Sequence, residues 1–99
     1  MTYSLIEAAA EELEQIFEHY LENASPKVAE NFLFEFERAA RLVDEFLGIG
    51  TPTKNGRRVL RIRRYPYSLI YQITNEGAKI GAVAPQRRGA KYWREAKAR

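Results

Sequence analysis

Between Glu7 and about Asn23 the apolar residues fall at Ala9, Leu13, Ile16, Phe17, Tyr20 and Leu21, three and four positions apart, with Glu11, Glu12, Gln15, Glu18 and Glu22 between them. That spacing predicts an amphipathic helix with one face toward a core and a solvated, glutamate-rich face opposite. Asn23-Ala24-Ser25-Pro26 then breaks the pattern and restarts it, because Ser25 can cap free backbone amides and Pro26 suits the first helical position. The second helix is expected to bury Ala29, Phe32, Leu33, Phe36, Ala40, Val43 and Leu47 and to end at Gly48. A connection this short predicts an antiparallel helix hairpin. Ahead of both helices, Tyr3 to Ile6 is short and partly aromatic or β-branched, which favours an edge strand.

The periodicity changes after Gly48-Ile49-Gly50-Thr51-Pro52 and Asn55-Gly56, a stretch whose residues tolerate turn geometry and which reads as a loop. From Val59 to Arg64 the chain alternates, Leu60 and Ile62 to one side and Arg61 and Arg63 to the other, as a half-buried strand does. Tyr65-Pro66 interrupts it, since proline removes a ladder donor. Ser68 to Thr74 predicts a second strand, Asn75-Glu76-Gly77 a tight turn, and Lys79 to Ala84 a third strand ended by Pro85. Gly89 to Lys97 reads as a short basic helical segment. The order strand, helix, helix, three strands, tail is an α+β fold: an N-terminal antiparallel helix hairpin packed on a small twisted, mainly antiparallel sheet. With 99 residues the chain has room for one domain, residues 1–99, and for one core.

Composition narrows the setting. Hydrophobic residues make up 45% of the chain and aromatics 12%, enough apolar surface to fold without a metal or a covalent staple. Cysteine is absent, which excludes disulfides and fits a reducing cytosol. Met1 to Ala10 carries Glu7 and no basic residue ahead of its apolar positions, the wrong order of charges for a secretory signal. No apolar run is long enough to cross a bilayer. The expectation is a soluble, cytoplasmic protein with no membrane contact.

The net charge of +3 conceals a division within the chain. Residues 1–53 hold three basic and eleven acidic side chains, a net of −8, whereas residues 54–99 hold thirteen basic and two acidic ones, a net of +11. Such a split suggests an acidic face and a basic face, the latter suited to an anionic partner such as nucleic acid.

Most kinds of site are excluded by what the chain lacks. One histidine, His19, placed on the polar side of the first helix, and no cysteine leave no zinc site and no Cys-His nucleophile. A Ser-His-Asp triad is not credible, and Gly48-Ile49-Gly50 lacks the Gly-Lys-Ser/Thr of a phosphate loop. No cofactor is expected. What remains is basic and aromatic: Arg61, Arg63 and Arg64 at one strand, then Arg87, Arg88, Lys91, Tyr92, Trp93 and Arg94 near the end. Arginine forks match pairs of phosphate oxygens and aromatic rings stack on bases, although Tyr92 and Trp93 would serve equally to pack the tail on the sheet.

The run Arg61-Ile62-Arg63-Arg64-Tyr65-Pro66-Tyr67-Ser68-Leu69-Ile70-Tyr71, then Val83-Ala84-Pro85-Gln86-Arg87-Arg88 with Tyr92-Trp93, resembles the RelE/ParE superfamily, its ParE branch most closely. Ala9 to Tyr20 also looks like that family's first helix. The resemblance implies the toxin of a type II toxin–antitoxin system, associated with plasmid stabilisation and growth arrest and neutralised by a cognate antitoxin in a hetero-oligomer. ParE-branch toxins poison DNA gyrase; RelE-branch toxins cut messenger RNA on the ribosome. A non-toxic relative that only binds its antitoxin is the remaining possibility. Many family members carry a histidine where this chain has Pro85, which weakens the nuclease reading and the expectation of an enzyme. A nuclease would have to rely on Arg61, Arg87, Arg88 and Tyr92, the phenol pKa of Tyr92 lowered by its positive neighbours. Target contact is expected from Arg61, Arg63, Arg64, Arg87, Arg88, Tyr92, Trp93 and Arg94. Bulky Phe17, Tyr20, Phe32 and Phe36 are candidates for an antitoxin groove, against the simpler alternative that each is ordinary core.

Overall fold

A computed structural model describes residues 3–86. Strand β1 (Ser4–Leu5) leads into helix α1 (Glu7–Asn23), followed by α2 (Pro26–Glu45) and strands β2 (Thr51–Pro52), β3 (Arg58–Arg61), β4 (Tyr67–Thr74) and β5 (Gly77–Pro85). The sheet order is β1-β5-β4-β3-β2, with β1 parallel to β5 and every other pair antiparallel. The α+β architecture read from the sequence is the one observed. Gly89 to Lys97, expected to be helical, lies outside the described residues.

Helix α2 begins where the sequence placed it: Ser25 is extended and its Oγ accepts from the Val28 N–H at 3.2 Å, with Pro26 at the first helical position. Its end comes earlier than Gly48. The Phe46 N–H closes the last turn on the Leu42 carbonyl, and Leu47 reaches the core from beyond the helix. What pulls the chain away is Tyr71, fully buried in β4, whose hydroxyl accepts from the Gly50 N–H at 2.9 Å and donates to the Leu47 carbonyl at 2.6 Å. A Cβ on Gly50 would lie 2.8 Å from the Tyr71 ring, so this approach requires glycine.

The stretch expected to be all loop contains β2, paired as Thr51↔Val59 and Pro52↔Arg58. Two residues with a proline at a sheet edge carry no alternation to read. Strand β3 is shorter than Val59 to Arg64: it stops at Arg61, where Ile62 turns inward to full burial and donates its N–H to the Tyr67 carbonyl across the turn.

Both helices lie on one face of the sheet. Ala9, Ile16, Phe32, Phe36, Ala40 and Val43 meet Ile62, Leu69, Tyr71, Ile80 and Val83 in the main core. The register between β4 and β5 steps from Ile70↔Ala82 to Tyr71↔Ile80, leaving Gly81 as the extra residue of a bulge. The bulge lets Ile80 and Val83 both face the helices, while Ile70, Ala82 and Ala84 form a second small cluster with Val59.

Candidate target-binding face and its neighbouring cleft

Arg61 ends β3 opposite Ser68, which in turn faces Ala84 of β5, so the three form one row across the sheet. Val59, two residues before Arg61, belongs to the cluster of Ile70, Ala82 and Ala84 rather than to the core under the helices. By the two-residue period of a strand, Arg61 therefore stands on the face away from the helices. Its guanidinium donates to the Gln86 Oε1 at 3.0 Å, and the Gln86 Nε2 donates to the carbonyls of Tyr65 and Tyr67, both at 3.1 Å. The Gln86 N–H adds a bond to the Pro66 carbonyl. Gln86 thus clamps the chain just before Arg87 against the turn that carries Arg63 and Arg64, a role the sequence did not announce.

Arg63 and Arg64 are exposed in that turn, and Arg64 has φ 72°, a backbone region costly for a side chain with a Cβ. Tyr65 holds the turn down: its hydroxyl bonds the Val28 carbonyl at 3.1 Å and the Asn31 Oδ1 at 2.9 Å on α2. Burial pushes the Tyr65 phenol above its ordinary pKa, reinforced by Glu35 and opposed by Arg64. Tyr20 is raised as well, by burial and then by its neighbours Tyr67 and Tyr65. Neither is a ready base at neutral pH. Arg87, Arg88, Tyr92, Trp93 and Arg94 lie outside the described residues, so of the expected target-binding set the structure brings together Arg61, Arg63 and Arg64.

The four aromatic residues expected to line a groove divide. Phe32 and Phe36 are wholly buried. Phe32 sits edge-on to Tyr65 and Tyr67, with ring centroids at 5.2 and 5.9 Å, and tilted against Tyr20 at 5.7 Å, a cluster that joins both helices to the turn and β4. Phe17 and Tyr20 are half-buried and remain accessible. Of the exposed large apolar side chains among the described residues, the most exposed are Phe34, at 60%, and Phe46, at 55%. Periodicity could not find them, because they interrupt the polar side of α2 or follow its end.

Two acidic residues are withdrawn from solvent, and one of them, Glu12, departs from the solvated face read for the first helix. Glu35 is 5% exposed, and one of its carboxylate oxygens has no hydrogen-bond partner among the described residues. Glu12 turns from α1 toward β5, and its Oε1 accepts from the Val83 N–H at 2.8 Å. Burial raises the Glu12 carboxyl above its ordinary pKa, and the Val83 bond opposes that rise. Beside it lies a cleft of about 300 Å³ between α1 and the end of β5, lined by Gln15, Ile16, His19, Tyr67 and Pro85 as well. His19 is exposed on the polar side of α1, as expected, and bonded to Asn23. Among the described residues no group of acidic, histidine or cysteine side chains is placed to hold a metal, and no helix is long and apolar enough to cross a membrane.

No curated protein matches the sequence closely enough to count as a relative. Among solved structures, one described as the chromosomal ParDE TA system from P. aeruginosa is similar in fold, with a TM-score of 0.75 at 19% identity over 86% of this chain and 95% of that chain. The model of the ParE toxin of the type II toxin–antitoxin system parDE matches residues 3–89, spanning every strand and helix described above, and the chain belongs to that family.

Proposed function

We propose that this protein is a toxin that arrests growth by poisoning DNA gyrase in the cytoplasm and is neutralised by a cognate antitoxin. The observation that carries this reading is the family match over residues 3–89, which takes in the Arg61 to Tyr71 strand pair and the Pro85-Gln86 ending. Chemistry on the face of Arg61 points the same way. That row offers an arginine, a buried serine and an alanine, with Pro85 following, and burial raises the phenol pKa of Tyr65 in the turn. Among the described residues, such a surface suits an anionic group and supplies no proton acceptor for RNA cleavage. Gln86 holds the end of β5 against the turn of Arg63 and Arg64, and the target-binding set read from the sequence includes Arg87, Arg88, Tyr92, Trp93 and Arg94 beside Arg61, Arg63 and Arg64. The antitoxin's contacts on the helix pair would fall on Phe17 and Tyr20 rather than on the enclosed Phe32 and Phe36. Induced alone in a bacterial host the protein should stop growth, and purified it should inhibit gyrase supercoiling or trap cleaved DNA. Ribosome-dependent cleavage of messenger RNA with gyrase unaffected would reverse the assignment, and normal growth at confirmed expression would leave a relative that only binds its antitoxin.

A further inference from the structure

Strand β5 spans nine residues, but β1 covers only Lys79 and Ile80 of its outer edge, with one more bond from the Ile6 N–H to the Ile80 carbonyl. Beyond Ile80 no strand lies on that side among the described residues. Val83 pairs with Leu69 of β4, yet its N–H goes to Glu12, so its peptide groups face outward rather than toward β4. In an antiparallel ladder the N–H and C=O of one residue share a side, which leaves the Val83 carbonyl on the same open edge. Pro85, two residues on, also faces outward and has no N–H to offer. Beyond Ile80 and among the described residues of β5, the edge therefore presents the Val83 N–H as its donor, and a side chain occupies it.

That side chain is poorly suited to remain there. Glu12 is half-buried in a cleft where, among the described residues, neither lysine nor arginine contributes to the lining, and α1 carries six glutamates with no lysine or arginine. A strand carbonyl would satisfy Val83 without burying a charge. The displaced carboxylate would then need a cation beside it, since a half-buried charge left unpaired is costly. We propose that the outer edge of β5 at Val83 accepts a short extended segment of the antitoxin that displaces Glu12 and brings a lysine or arginine to pair with it. The proposal rests on the antitoxin reading above. Pro85 limits the added strand to a few residues, and the Ile16 and Pro85 walls of the cleft take its apolar side chains.

The test uses the full-length toxin with the product of the adjacent reading frame as the antitoxin. Amide exchange at Val83 is read with and without that protein, together with a double-mutant cycle between Glu12→Gln and alanine replacements of each antitoxin lysine and arginine. Glutamine keeps an acceptor for Val83 but cannot pair with a cation. The expected result is slower exchange at Val83 in the complex, weakening by Glu12→Gln of about tenfold or more, and coupling to one antitoxin cation. A complex that leaves Val83 unchanged, or in which no cation couples to Glu12, overturns the docking site while leaving the antitoxin in place. Protection of Val83 that grows with toxin concentration alone assigns the edge to a second copy and overturns it too. Failure of the two proteins to associate overturns both readings.

Discussion

Tyr71 shows how much one buried hydroxyl holds. It satisfies the Gly50 N–H and the Leu47 carbonyl together, groups that would otherwise be enclosed with no partner where the chain leaves α2. Tyr71→Phe keeps the ring and loses both bonds, so thermal unfolding should report a loss of about 2 kcal/mol or more. A loss of only a few tenths would mean that water reaches both groups. Glu12 makes the opposite case, a residue whose charged form opposes folding. Burial raises its folded pKa above the ordinary value of 4.5, so the folded state holds its proton more tightly than the unfolded chain. By linkage, its contribution disfavours folding at neutral pH, and the penalty fades as pH falls through its folded pKa toward the ordinary value. Glu12→Gln should therefore melt at or above the wild-type temperature at neutral pH, and the two curves should converge in acid. A melting temperature for Glu12→Gln that falls only at neutral pH would instead show the carboxylate to be stabilising.

At the scale of elements, local chemistry and packing govern different boundaries. The start of α2 is local: Ser25 and Pro26 create it, and Ser25→Ala should cost about 1 kcal/mol in the unfolding midpoint, with no change in the sheet. Wild-type stability in that variant would mean another group caps the Val28 amide. The end of α2 is tertiary, because Tyr71 lies 24 residues beyond Leu47 and still fixes where the helix gives way. Strand β3 likewise alternates in sequence through Arg64, yet pairs only to Arg61, since Ile62 is drawn into the core and Tyr65 is tied to α2. The bulge at Gly81 is set by what β5 must do on both faces, placing Ile80 and Val83 under the helices and Ala82 and Ala84 on the other side.

Taken whole, the molecule keeps its charges apart. The helix pair carries most of the acidic half of the chain, while Arg61, Arg63 and Arg64 gather at the end of the sheet beside Gln86. Exposed arginines of this kind change stability by about 0.5 kcal/mol or less, whereas an arginine paired with a desolvated anionic group in a complex is worth about 2 kcal/mol or more. Arg87→Ala with Arg88→Ala should abolish growth arrest with the melting temperature nearly unchanged. Full toxicity in that variant would move the effector surface to Arg61, Arg63 and Arg64, and Arg63→Ala with Arg64→Ala then becomes the decisive pair. The fold class, both helices, the cap at Ser25, the β4–β5 hairpin and the basic character of the second half were all legible along the chain. Each of these rests on periodicity, turn chemistry or charge, which act between residues close in the chain. The folded arrangement was needed to show that Phe32 and Phe36 are enclosed, that Gln86 clasps Arg61, that β2 exists and that Glu12 covers the edge of β5. The Gln86–Arg61 and Glu12–Val83 bonds join residues 25 and 71 apart, and no local pattern encodes which distant group a side chain will meet; β2 pairs with nearby β3 but is too short to carry an alternation.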